Sequence, residues 1–186
     1  MDAEEEHKNN NNKIKIEKLK RMDQETLETL VEIYMRGYEG MREYGGEGES
    51  YAKRYLRWCW SKASDGFFVA KDRDRVVGFI VCDNDWHSRY ENKIVGAIHE
   101  FVVDKGYQGK NVGTKLMDRC LEHLSKYNNR IELWVGEKNK KAIEFYEKLG
   151  FKVVGKSGIW VRMVKDLKRE SDSQTKENQQ KQQYKN

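Results

Sequence analysis

The stretch that most constrains this chain runs from Asp104 to Thr114, DKGYQGKNVGT. An apolar segment, Lys93–Val103, feeds it, and apolar residues at helical spacing (Leu116, Met117, Cys120, Leu121, Leu124) leave it. A strand that enters a helix through three glycines implies a sheet covered by helices. The first turn of such a helix carries unpaired N–H groups and partial positive charge, a ready site for a phosphate. Glycines there let the main chain approach an anion with no Cβ in the way. The spacing excludes two common phosphate loops. Gly113 is followed by Thr114 where a Walker loop needs lysine, and Gly106, Gly109 and Gly113 do not fit G-x-G-x-x-G.

The flanking sequence supplies the remaining elements. Lys13–Leu19 alternates as a first strand. Asp23 suits the N-cap of a helix bearing Leu27, Leu30, Val31, Tyr34, Met35 and Tyr38 on one face. A glycine-rich loop, Glu39–Glu49, precedes a second helix from Ser50, as its cap, to about Lys62, with Tyr51, Tyr55, Trp58 and Cys59 in a stripe. Phe67–Ala70 and Arg75–Cys82 read as strands around a tight turn, and DNDWHSRYEN (Asp83–Asn92) as a polar loop before Lys93–Val103. After the glycine loop and its helix comes a strand at Arg130–Val135. Asn139 caps a last helix that stops at Gly150, and Phe151–Val154 and Ile159–Val164 form a closing hairpin. The order is β-α-α-β-β-β-α-β-α-β-β, an α/β (α+β) fold with a mixed sheet and helices on both faces.

Composition narrows the function. Residues 1–13 and 168–186 hold almost nothing that could pack, so the expected organisation is a folded unit at 14–167 between two disordered polar tails. The net charge is +5 without an arginine-rich helix or zinc-finger spacing, so no nucleic-acid partner is expected. No apolar run has the length of a membrane span, and the acidic start is unlike a secretory leader. The three cysteines (Cys59, Cys82, Cys120) lack metal spacing and read as free buried thiols in a reducing cytoplasm; no metal is expected.

The run VVDKGYQGKNVGTKLM resembles the acetyl-CoA-binding motif of the GCN5-related N-acetyltransferases (GNAT), [QR]-x-x-G-x-[GA] after a strand ending in V-D. The downstream NKKAIEFYEKLGFK (Asn139–Lys152) resembles the family's second signature, and the likeness extends over about Ile14–Leu167 in the same element order. Two departures stand out. Lys105 occupies a position where the family often has proline, and Asn111 replaces the first motif glycine. Asparagine is the non-glycine residue that best tolerates left-handed backbone, so the loop can still form.

The resemblance implies an acyltransferase that uses acetyl-CoA as donor and an amine as acceptor. Main-chain N–H groups of Gln108, Gly109, Lys110, Asn111, Val112, Gly113 and Thr114 would bind the pyrophosphate. The pantetheine arm would add to the strand edge at Phe101, Val102 and Val103, in a splay between two parallel strands, and Asn139 would contact the coenzyme. Tyr146 matches the general acid that protonates the departing thiolate. None of the cysteines falls on the reaction line, so direct transfer in a ternary complex is expected. Family members are often dimers, which makes a homodimer an expectation here.

An amine must be neutral to attack, and a lysine-like amine at pH 7 is almost wholly protonated, a cost of about 4–5 kcal/mol. A base, direct or through water, helps remove that proton, and the resemblance implies such a group on the strand before the loop. His99 and Glu100 both stand there, on opposite faces if the strand is regular, and the sequence leaves the choice open. An imidazole in water titrates in the right range, whereas a carboxyl needs burial to raise its pKa. The acceptor would lie beside the first two helices. Glu39, Glu43, Glu47 and Glu49 there, followed by Trp58 and Trp60, suggest a cationic amine: a polyamine, an aminosugar, or a protein lysine or N-terminus. Two other classes fit the sequence. One is a non-catalytic acyl-CoA-binding or sensor module, which Asn111 keeps open. The other is a protein- or RNA-associated factor acting through the tails.

Overall fold

The computed structural model describes residues 14–46 and 48–167; the tails proposed at 1–13 and 168–186, and Glu47, lie outside the described residues. The elements are β1 (Ile14–Lys18), α1 (Gln24–Gly37), α2 (Arg42–Gly45), α3 (Glu49–Ala63), β2 (Phe67–Asp72), β3 (Arg75–Ser88) and β4 (Lys93–Val103), then α4 (Val112–Ser125), β5 (Arg130–Gly136), α5 (Lys140–Lys148), β6 (Lys152–Ser157) and β7 (Trp160–Asp166). The strands form one seven-stranded sheet, β1-β2-β3-β4-β5-β7-β6. Every pair is antiparallel except β4–β5.

Caps set several boundaries. The Asp23 carboxylate accepts the Thr26 N–H at 3.0 Å and starts α1. Asn139 does the same for α5, accepting from Ala142 N at 3.2 Å, and Gly150 at φ 85° lets the chain leave that helix. The middle of the sheet is buried on both faces, so β2 reads as a continuous apolar run, while the edge strand β6 is exposed. Phe67 and Val69 pack with Leu30, Leu56 and Phe79 under α1 and α3. Phe68 and Ala70 pack with Leu116, Met117 and Ile131 under α4 and α5. Each such buried side chain contributes about 1.5–3 kcal/mol relative to exposure.

Three sequence-based expectations need correction. Ser50 is not the cap of α3; the helix begins at Glu49 after Gly48, whose φ of 81° turns the chain into it. The glycine-rich loop folds one helical turn, α2, held by the Tyr34 hydroxyl donating to Gly45 O at 3.1 Å. Asp83–Ser88 is not loop but the far half of β3, paired with the start of β4. Its polarity is accommodated by a buried partner: Trp86 Nε1 and Ser88 Oγ donate to the Glu132 carboxylate at 2.8 and 2.7 Å, and Arg162 pairs with it at 2.7 Å.

Candidate active site

The register of β4 creates the site. Against β3, Val81 pairs with Glu100 and Cys82 with Ile98, so His99 is the extra residue of a bulge. Against β5, pairing runs only from Gly96–Ile131 to Ile98–Leu133. Beyond Ile98 the β5-facing edge of β4 has no strand partner, while β5 continues to Gly136 beside β7. The strands part around a cavity of about 1260 Å³, lined by Phe101, Val102 and Val103 on one side and Trp134, Val135 and Gly136 on the other.

One end of the cavity is the start of α4. Asn111 takes the left-handed conformation (φ 63°, ψ 9°) that a glycine would otherwise supply, so the substitution preserves the turn. Gly109 is also left-handed, at φ 74°, and nothing lies within 4 Å of where a Cβ would stand. A Cβ on Gly113 would come within 3.3 Å of Phe101 Cζ, so this glycine lets the helix start close over β4. A helix N-terminus reached through bare main chain fits a diphosphate. Gln108, Gly109, Asn111, Gly113 and Thr114 line the cavity. Lys110 and Val112 do not. Val112 is core, and the Lys110 ammonium stands 5.4 Å from the Tyr107 ring centre.

The cavity is also lined by titratable groups. Glu100 is buried, its carboxylate accepting the Tyr38 hydroxyl at 3.1 and 3.3 Å and its neighbour's amide, Phe101 N, at 3.0 Å. Burial pushes its pKa from 4.5 up to about 7, against those hydrogen bonds, which pull it down. Tyr146, buried on α5, also lines the cavity; burial first and then the Glu100 charge raise its pKa well above the usual phenol value. Asn139 lines the same wall while capping α5.

His99 and Glu100 do not point to opposite faces. The bulge breaks the alternation: the His99 ring meets Trp58 of α3 at 4.9 Å between centres, while Glu100 meets Tyr38, the C-cap of α1. The acidic loop also differs from expectation. Glu39 is paired with Lys105 at 2.5 Å, Glu43 with Lys138 at 3.6 Å and Glu49 with Lys53 at 2.5 Å, so the local negative surplus is offset. Of the two tryptophans, Trp58 lines the cavity and Trp60 packs edge-on against Phe67 in the core.

Sequence reasoning missed the tyrosines. Tyr34, Tyr38, Tyr44, Tyr51 and Tyr55 all line the cavity. Their signal was present: Tyr34–Tyr38 and Tyr51–Tyr55–Trp58 recur at helical spacing, as core residues also do. Among the described residues no cluster of His, Cys, Asp and Glu could hold a metal ion, and no helix is long and apolar enough to cross a membrane.

A mixed sheet splayed over a helix N-terminus, with a buried carboxyl beside the same cavity, combines an anion-binding helix start with a group able to transfer a proton. The family model for the acetyltransferase (GNAT) family matches residues 27–151, and the chain belongs to that family. It is 38% identical over 157 residues to an uncharacterised N-acetyltransferase of Methanocaldococcus jannaschii, covering 84% of this chain and 70% of the relative. Among solved structures it is similar to PH1933 of Pyrococcus horikoshii, with 65% identity and a TM-score of 0.79 over 84% of this chain and 99% of the other. An N-acetyltransferase of Thermoplasma acidophilum, solved in complex with coenzyme A, shares the fold at 24% identity, with a TM-score of 0.65 over 82% of this chain and 98% of the other. The chain is thus an N-acetyltransferase.

Proposed function

We propose that this enzyme moves the acetyl group of acetyl-CoA to a primary amine by direct transfer in a ternary complex, as a cytoplasmic protein whose catalytic unit spans residues 14–167. The observation that carries the reading is a single cavity. It joins a helix N-terminus that has glycine at 109 and 113, a strand edge without a partner toward β5, and a buried carboxyl with a pKa of about 7. Main-chain amides of Gln108–Thr114 would hold the donor's pyrophosphate, and the edge of β4 at Phe101–Val103 its pantetheine arm. Asn139 spends its side-chain oxygen on α5, so it holds Tyr146 in place and leaves its amide nitrogen for the coenzyme.

Glu100 is the base on the acceptor side. Above pH 7 it is ionised, and from its buried position it takes a proton from the amine as the amine attacks the thioester. A backbone N–H near Val103 stabilises the charge that develops on the carbonyl oxygen. Tyr146 protonates the thiolate. Once Glu100 carries a proton, its charge no longer holds the phenol up, so the acid becomes stronger after the base has acted. Burial raises the Cys59 and Cys82 thiols, which keeps their thiolates scarce and favours direct transfer over an acetyl-cysteine. The acceptor is a polyamine, an aminosugar, or a protein lysine or N-terminus.

The test is a panel of such amines with acetyl-CoA, reading released thiol and acetylated product. Turnover with intersecting initial-rate lines supports the proposal. Calorimetric coenzyme A binding with no turnover on any amine would replace it with a non-catalytic acyl-CoA module.

A further inference from the structure

The residue His99 is held more tightly than a wall residue requires. Its carbonyl accepts the Tyr55 hydroxyl at 2.6 Å. Its ring sits edge-on to both Trp58, at 4.9 Å, and Trp86, at 5.0 Å. Its Nε2 lies 2.9 Å from Oδ2 of Asp83, a β3 residue that does not line the cavity. Asp83 is itself fixed, accepting the Asp85 amide at 2.9 Å. Burial works against its charge, but the His99 and Asp85 hydrogen bonds outweigh burial and hold the carboxyl below its ordinary range. An ionised Asp83 requires a proton on Nε2, so Nδ1 is the ring nitrogen this contact leaves over, on a residue that lines the cavity.

We propose that Asp83 positions His99 as a second base, so that the two protons the acceptor nitrogen must shed go to two different groups. This rests on the acetyl-transfer reading above. An alkylammonium loses one proton before it can attack and another as its C–N bond forms. The first passes to His99 Nδ1, directly or through a water, and from there to solvent. The second passes to Glu100. As the C–S bond breaks, the thiolate takes the Tyr146 proton, and the proton on Glu100 refills the phenol. The sum is ammonium plus thioester giving amide, thiol and one released proton. Asp83 touches no reacting atom; it is a positioning residue.

The division of labour makes a prediction that a merely structural Asp83 does not. An amine already neutral at assay pH needs only the second base. Phenethylamine and its 2,2-difluoro analogue, which has nearly the same shape and a far less basic nitrogen, form the probe pair at pH 7. Asp83→Asn is expected to shift the ratio of their kcat/KM values about tenfold toward the fluorinated amine. Glu100→Gln depresses both without shifting the ratio. In the intact wild-type chain, ¹⁵N spectra at pH 8 are expected to show His99 protonated on Nε2, the signal being assigned by its loss in His99→Gln. An unchanged ratio in Asp83→Asn, or a proton on Nδ1, overturns the proposal. If the wild type turns over neither amine nor any member of the acceptor panel, it is the acetyl-transfer reading that fails, and the tautomer alone then decides the Asp83–His99 pairing.

Discussion

The two halves of the cavity are built from different material. On the proposed reading the donor half is main chain: the open edge of β4 and the amides that begin α4. The acceptor half is side chain: Glu100 with Tyr38, 62 positions apart, and His99 with Asp83, 16 apart, walled by tyrosines from α1 and α3. A main-chain site tolerates many sequences but depends on a few backbone conformations. A side-chain site depends on each group and on what holds it.

The largest effect should come from the acceptor half. Glu100→Gln is expected to lower kcat by about 10²–10⁴-fold, with coenzyme A affinity by calorimetry unchanged. The same variant has a stability signature. Between pH 4.5 and about 7 the folded state binds more protons at Glu100 than the unfolded chain does. The contribution is therefore fully present below 4.5 and is lost as pH rises through 7, a difference of about 3 kcal/mol at most. Denaturant titrations should find Glu100→Gln more stable than wild type at pH 8 and near parity at pH 4.5. Tyr146→Phe should lower kcat about a hundredfold with little change in either KM, and full retention of kcat would remove its role as acid.

A change in the donor half should appear in binding instead. Gly109→Val forces a branched side chain into left-handed backbone, and should weaken coenzyme A by about tenfold, roughly 1.4 kcal/mol, while leaving kcat at saturation near wild type. The smallest effect is expected on the acidic loop, where Glu39 lines the cavity and Glu43 and Glu49 do not. Replacing Glu39, Glu43 and Glu49 by glutamine together should leave the amine KM within about twofold, because exposed ion pairs contribute little and each acid already has a lysine. A large rise in KM at low salt would show that the loop steers the acceptor after all.

The same contrast explains what could be read from the residues. The turn into α4 was legible because glycine spacing after an apolar strand reports backbone geometry directly, and Asn111 takes the conformation a glycine would supply there. The helix ends at Asp23 and Asn139 were legible for the same local reason. The acceptor half was not. Whether His99 and Glu100 share a face depends on one bulge set by the pairing with Val81 and Cys82, which no pattern within β4 reveals. Asp83 and Trp86 read as loop because their partners, His99 and Glu132, are distant in the chain. The acidic loop misled because its counterions, Lys105 and Lys138, come from other elements.

The parting of β4 from β5 after Ile98 has one more consequence. A gap defined by two diverging ribbons keeps its width whatever residues decorate the surrounding helices. If the proposed sites hold, substitutions on α1 and α3 retune which nucleophile is accepted without eroding the grip on the donor, and new acceptor preferences arise on this scaffold with the activated acetyl supply held constant.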